Sequence, residues 1–334
     1  MTYSIVARDG KTGEMGVAVQ SHYFSVGSAV PWARAGVGAV ATQATLDVRY
    51  GPLGLELMAA GTTAKTALGA LLGADSKPEV RQVAMVDASG QAAAHTGEKC
   101  IPCAGHATGD GFSCQGNIMT SDRVWGAMKR AFEEGEGSPL PERLLGALDA
   151  AQEEGGDLRG RQSAALVVVG REPKPNYWEG RLFDLRVEDH PEPLVELRRL
   201  LRYQRGYRWV DKGDDFISSN RLEDALDAYS KGMELVPEEL ELKYWVAIGL
   251  LSSGRDRRRG LRMLKEVCSK DRNWVKVTEG LVKVGQPKLE PSVLRDVRGR
   301  SRSHRTVVSP RVCRGGAASM RSRPTGRSPR RPRG

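Results

Sequence analysis

Thr2-Tyr3-Ser4-Ile5-Val6-Ala7-Arg8-Asp9-Gly10-Lys11-Thr12-Gly13-Glu14-Met15-Gly16-Val17-Ala18-Val19-Gln20-Ser21 is the stretch whose reading decides the fold. The run from Ser4 to Ala7 is β-prone. Asp9-Gly10 and Thr12-Gly13 are turn chemistry, and Met15 to Val19 form a second short apolar strand. The chain is therefore expected to open as a hairpin with Thr2 at its open end. No slack precedes the strand, whereas most chains leave their first residues loose.

Working outward, strands are expected at Val26–Val30 and Gly36–Ala41. Helices follow at Tyr50–Ala60 and Thr63–Leu72, where Leu53, Leu57, Leu68, Leu71 and Leu72 recur at helical spacing. Arg81–Val86 and Gln91–Thr96 read as a hairpin, Asp122–Glu134 and Pro141–Glu153 as helices, and Ser163–Val169 and Leu182–Val187 as closing strands. Strands grouped in pairs and helices grouped in pairs point to an α+β domain, with layers of helices over antiparallel sheets rather than a parallel βαβ sheet.

The 334 residues suggest two domains, and 40% hydrophobic content supplies a core of ordinary size. No apolar run is long enough for a membrane span and no basic-then-apolar leader opens the chain, so a soluble cytoplasmic protein is expected. Five cysteines over this length do not form a disulfide framework. The net charge of +10 invites a nucleic-acid reading, but residues 286–334 alone hold 14 Lys and Arg against 2 Asp and Glu. The tail therefore carries a net +12 and the body a net −2, so a uniformly basic nucleic-acid-binding fold is not supported.

His190-Pro191-Glu192-Pro193 reads as a stiff linker from a first domain, 1–189, to a helical domain, 190–280. In the latter, Trp209, Gly213, Phe216, Ala225, Tyr229, Gly232 and Pro237 fall at the spacings of one tetratricopeptide repeat, with a weaker unit at about 241–274. So short an array cannot stand alone and is expected to rest on Leu194–Tyr207 and the first domain. Residues 281–334 read as a disordered Arg-rich tail. Such a composition can bind polyanions without sequence preference, and out-of-frame reading of GC-rich coding DNA also produces it.

Removal of Met1 would give Thr2 both a hydroxyl and a free α-amine, which titrates near ~7.7–8. The amine can take the hydroxyl proton, directly or through one water, and make the oxygen a nucleophile. N-terminal nucleophile (Ntn) hydrolases work in this way. They fix the residue at a strand end in a sandwich of two sheets flanked by helices, the order read above. The alternative is plain: Thr is also common at position 2 because it is easily translated and processed.

The opening, together with the stretches Val30–Ala44, Gln115-Gly116-Asn117 and Gly155–Ala165, resembles the Ntn-hydrolase-like family called domain of unknown function 1028, over about residues 1–187. The resemblance implies a four-layer αββα Ntn-hydrolase-like sandwich. Members of that family often carry a C-terminal helical region assigned to peptidoglycan binding, which residues 190–275 resemble. Many relatives of this fold self-associate, so a homo-oligomer is an expectation. In proteasome-type Ntn hydrolases an Asp ends the second strand and a Lys lies on the third. Here the corresponding stretches are Val19-Gln20-Ser21-His22 and Val26-Gly27-Ser28-Ala29, with neither. The Thr2 amine would then be tuned by neutral Gln20 and Ser21, with Arg34 adding charge if its strand phase turns it inward.

Thr42 and Gln43 end an apolar strand, where a backbone N–H can serve as the oxyanion donor; a mere strand end is the alternative. Gln115 and Asn117 flank a Gly in what reads as a loop leading to a helix, where amides bind an amide or carboxylate substrate or cap a turn. Asp157, Arg159, Gln162 and Ser163 form a charged turn at a strand start, a site wall or an internally paired loop. His95, Cys100, Cys103, His106 and Cys114 lie within 20 residues, but their spacing lacks a second tight ligand pair, so no metal and no cofactor are expected.

Three functions follow. The first is an Ntn amidohydrolase of a small amide or peptide-like bond, with Thr2 as nucleophile and backbone near Gln43 as the oxyanion donor. The second is a non-catalytic scaffold that holds a ligand, its helical domain docking a protein partner or cell-wall fragment. The third, ranked last, is non-specific nucleic-acid binding through the tail.

Overall fold

The structure, a computed structural model, describes residues 2–285 and 287–298. It is an α+β architecture with two antiparallel sheets. The opening hairpin is present: β1 (Thr2–Arg8) and β2 (Met15–Ser21) pair from Thr2↔Ser21 to Arg8↔Met15. Asp9 builds the turn, its Oδ1 accepting from the backbone N–H of Lys11 (2.9 Å) and Thr12 (2.8 Å). Gly13 closes it at φ +73°, a conformation that costs an L side chain strain.

The hairpin continues into two sheets. One is four-stranded, β3 (Pro31–Arg34), β4 (Gly38–Ala44), β5 (Arg81–Asp87) and β6 (Ala92–Thr96), side by side in chain order. The other is six-stranded, with β7 (Gly105–Gly109), β8 (Phe112–Asn117), β9 (Ser163–Val169) and β10 (Arg181–Val187) joining the hairpin in the order β10-β9-β2-β1-β8-β7. Two expectations are corrected here. Val26–Val30 is not a strand: Val26–Ser28 is a short 3-10 turn, held by Ser163 Oγ accepting from the Val26 N–H at 3.0 Å, and the strand begins at Pro31. Gln115-Gly116-Asn117 is not a loop but the end of β8, paired directly with β1 (Thr2↔Asn117, Ser4↔Gln115).

Strand alternation divides the hairpin's side chains between two cores. Val6, Val17 and Val19 meet Ala39, Ala41, Ala84 and Val86 of the other sheet. Tyr3, Ile5 and Ala18 face outward and are covered by α3 (Val124–Glu134) and α4 (Leu140–Glu153) through Met128, Phe132, Leu144 and Leu148. On the opposite outer face, α1 (Tyr50–Ala59) and α2 (Ala64–Ala74) lay Leu55, Met58 and Leu68 on Val40, Val83 and Met85. Asp75 fastens this helix pair to its sheet: its carboxylate accepts from Arg81 Nε at 2.7 Å and Tyr50 Oη at 3.0 Å, and its side chain is 5% exposed. The hydrogen bond from Arg81 leads the forces that hold its carboxyl well below the usual range despite burial. A depressed folded pKa stabilises the fold fully above the unfolded value of about 3.9, and that stabilisation is lost as pH falls through the folded value. Asp75→Asn is expected to cost about 2 kcal/mol at pH 7 and to flatten the acid limb of a urea-unfolding stability profile.

Helix α5 (Pro193–Ser218) starts at the expected linker and joins both parts of the chain. Its first half buries Leu194, Leu197 and Leu201 in the core under α4, and its second half buries Val210 among the following helices. These are α6 (Leu222–Leu235), α7 (Leu240–Ser253), α8 (Arg257–Lys270), α9 (Asn273–Val284) and α10 (Ser292–Arg298). Helices α5 and α6 pack closely because Gly213 is small: a Cβ there would stand 2.3 Å from the Tyr229 ring. Gly213→Leu is expected to lower stability by about 3 kcal/mol in urea unfolding, since the Tyr229 ring it would meet is fully buried and held by its Oη on Asp214. The expected start of the structureless tail is also corrected. Leu289, Val293 and Val297 are buried against α8 and its neighbours, so folded chain continues to residue 298. The expectation for residues 299–334 lies outside the described residues. No described helix is long and apolar enough to cross a membrane.

Candidate active site at the end of the first strand

Thr2 lies on the central strand of the six-stranded sheet, 3% exposed, with its side chain between the two sheets on the same face as Ser4 and Val6. Its Oγ1 donates to Ser21 Oγ at 3.1 Å. Its carbonyl oxygen accepts from Gln43 Nε2 at 3.0 Å and from Asn117 Nδ2 at 3.5 Å. Three of the expected residues, Ser21, Gln43 and Asn117, thus converge on Thr2 from β2, β4 and β8.

Behind Thr2 the space between the sheets is filled by carboxamides and hydroxyls. Gln82 Oε1 accepts from Gln43 Nε2 (2.7 Å) and Asn117 Nδ2 (2.8 Å). Its Nε2 donates to the Gly116 carbonyl (2.8 Å) and to Thr96 Oγ1 (3.0 Å), which meets His106 Nδ1 at 2.8 Å on the surface. Ser4 Oγ donates to Gln43 Oε1 (2.7 Å) and accepts from Gln115 Nε2 (2.7 Å), and Ser113 donates to Gln115 Oε1 (2.9 Å). Each of these buried groups has partners, which keeps their desolvation from opposing folding and fixes their orientation.

Gln82, Ser4, Ser113 and Thr96 were not singled out from sequence, yet they complete this network. The signal was present in Phe112-Ser113-Cys114-Gln115-Gly116-Asn117, which alternates polar and apolar or small positions with the period of a strand. Ser4 and Thr2 share that alternation on β1.

Other expected residues stand elsewhere. Of the backbone N–H groups near Gln43, those of Thr42 and of Gln43 itself are turned to neighbouring chain. Thr42 N–H goes to Val30 O on one side of the strand, so Gln43 N–H turns to the other, where it faces Gln82 in the ladder. The group that reaches Thr2 is the Gln43 side chain. Thr42 points to the outer face, its Oγ1 donating to Asp47 O at 3.1 Å. Gln20 also faces outward, where its Oε1 accepts from Tyr3 Oη, which also donates to Gln152 Oε1 at 3.1 Å. Burial, aided by the carboxylates of Asp149 and Asp157, pushes the Tyr3 phenol well above its ordinary range. Gln20 and Tyr3 are therefore part of the packing between sheet and helices rather than of the Thr2 pocket.

Arg34 stands opposite Gly38, roughly 17 Å along β4 from Gln43, and does not turn toward Thr2. Asp157 and Arg159 form an ion pair (2.8 Å), with the Asp157 side chain fully buried. The same carboxylate accepts from the His22 N–H at 3.2 Å, so the turn holds the chain just beyond Ser21. Gln162 supports the same place through its N–H on Ser21 O at 3.1 Å, and Ser163 Oγ donates to Tyr23 O at 2.5 Å. These four residues shape the wall next to Ser21.

The cysteine and histidine cluster is dispersed. Cys100 Sγ donates to Arg81 O at 3.3 Å, His95 Nε2 meets Pro78 O at 2.8 Å, and Cys114 lies in the core under α3 and α4. Burial raises the Cys100 and Cys114 thiols and, with His95 nearby, lowers His106. No group of three His, Cys, Asp or Glu side chains is placed to hold a metal among the described residues.

Residues 2–197 match the family described as "Family of unknown function (DUF1028)". The chain belongs to the DUF1028 family. The DUF1028 match runs past the expected boundary at 189 into the part of α5 that buries Leu194 and Leu197 with the first core. Among solved structures the chain is similar to protein SPO2555 from Silicibacter pomeroyi, itself assigned to DUF1028. The two share 30% sequence identity with a TM-score of 0.54, over 60% of this chain and 88% of that one. No curated protein matches.

Proposed function

We propose that this DUF1028 protein is an N-terminal-nucleophile amidohydrolase, built on a four-layer αββα sandwich and acting on a small amide or peptide-like bond. The observation that carries the reading is the Thr2 constellation: a hydroxyl between two sheets at the end of a central strand, bonded to Ser21 and backed by two carboxamides. With Met1 removed, the Thr2 amine takes the Oγ proton, through Ser21 or a water, and Oγ attacks the substrate carbonyl. The amide C–N bond breaks, the amine product leaves with the proton, and an ester to Thr2 remains. Water then hydrolyses the ester and restores the Thr2 hydroxyl. Gln43 and Asn117 hold the strand end in place through their hydrogen bonds to the Thr2 carbonyl.

A second reading follows from the neutral character of the groups that touch Thr2, Ser21, Gln43 and Asn117. On it the site around Thr2 holds a ligand without turnover, and the tetratricopeptide-like helices from α5 onward dock a protein partner or a cell-wall fragment. A β-lactone probe separates the two. The hydrolase reading expects one covalent adduct, mapped to Thr2 and absent from Thr2→Ala; a protein that binds amides but takes no adduct fits the scaffold reading instead.

A further inference from the structure

A cavity of about 550 Å³ opens at the edge of the sandwich, where β3, the start of α1 and the segment leading into β10 meet. Trp32, Arg34, Trp178, Arg181 and Arg186 line it, with Glu56 also on its wall. Trp32 and Arg34 alternate on the outer face of β3, and Trp32 is fixed by its indole N–H on Ala29 O at 2.9 Å. The 170–180 segment is tied to the β3–β4 turn by Gly36 N–H on Gly170 O at 3.1 Å.

Two features of this lining are unexplained by folding. Tyr177 and Trp178, stacked edge-on at 5.3 Å, are 59% and 60% exposed, a large apolar surface left uncovered beside a cavity. The half-buried Arg34 guanidinium meets no carboxylate or other side-chain partner among the described residues. Arg181 and Arg186 do not offset this, since they share the single carboxylate of Asp184. The cavity therefore combines exposed indole surface with surplus positive charge, and its volume lies within the range of small-molecule sites.

We propose that this cavity binds a small anion carrying a flat ring, the ring lying against Trp178 and Trp32 and the anionic group on Arg34. Guanidinium groups match phosphate and carboxylate oxygens in a two-pronged geometry, and indole faces receive planar rings. The site is separate from Thr2, since Arg34 stands at the far end of β4 from Gln43.

Isothermal titration of the full chain with adenosine monophosphate and with 1-naphthoate tests the two sources of this chemistry, nucleotide and aryl carboxylate. Adenosine and inorganic phosphate serve as half-ligands. At least one ring anion is expected to bind, with both half-ligands tenfold or more weaker. Arg34→Gln and Trp178→Ala are each expected to weaken that binding at least tenfold. Both side chains reach solvent, and unchanged melting temperatures would show the fold intact. No binding of either ring anion, or binding that survives either substitution, overturns the proposal.

Discussion

Thr2→Ala is expected to reduce hydrolysis of a responsive amide at least about a thousandfold in kcat/KM, because it removes the nucleophilic oxygen and leaves only binding. The same change should scarcely disturb folding. Its direct structural loss is one hydrogen bond, Thr2 Oγ1 to Ser21 Oγ at 3.1 Å, of order about 1 kcal/mol. The Gln43 and Asn117 contacts go to the backbone carbonyl of residue 2 and persist in the variant. Thr2→Ser keeps both hydroxyl and amine and is expected to retain measurable turnover. A screen of small amides and dipeptides, run in parallel on the three proteins, checks this. Turnover by Thr2→Ala equal to that of the parent would remove Thr2 from the chemistry.

Gln82→Met is expected to be among the most damaging changes to the fold, about 3–5 kcal/mol in urea unfolding, although it nearly preserves volume. Gln82 is fully buried and ties three strands together: it accepts from Gln43 of β4 and Asn117 of β8 and donates to Gly116 O. A thioether offers none of these bonds, so a carbonyl and the Asn117 amide lose partners in a place water does not easily reach. Asn117 keeps only its 3.5 Å contact to Thr2 O. The effect should extend to the site, because the groups that orient Thr2 are themselves oriented by Gln82. A variant with parental stability would show that the network is not needed to hold the two sheets together.

The hairpin that carries Thr2 was readable because its two signals agree: a Gly-rich turn built on Asp9, and β-prone runs on either side. Its neighbours across the sheet were harder to find. β8 contains Gly116 and Asn117, residues that elsewhere mark loops, and only pairing with β1 on one side and β7 on the other makes them strand. Val26 and Val30 are β-branched and buried, but the chain around them turns, since Ser163 takes the Val26 N–H that a ladder would use. Local propensity cannot foresee a partner that arrives 137 residues later.

The site was legible in part for the same reason. Thr2, Ser21, Gln43 and Asn117 could be nominated as polar residues at strand ends, and the sheet order brings them together. Which face each side chain takes decides the rest. Gln20 and Thr42 each lie one residue from a member of the cluster, and the two-residue period of a strand sends both to the other side. Gln82, at the start of β5, carries no motif, and its role exists only once the two sheets are stacked.

The central claim rests on the Thr2 amine being free, and intact-mass measurement of the untagged, natively expressed protein tests it most directly. The account predicts the mass of residues 2–334, with Met1 absent and Thr2 leading the chain. Full retention of Met1 would contradict it, because the base would then lie on another residue and the Thr2 nitrogen would be a peptide amide.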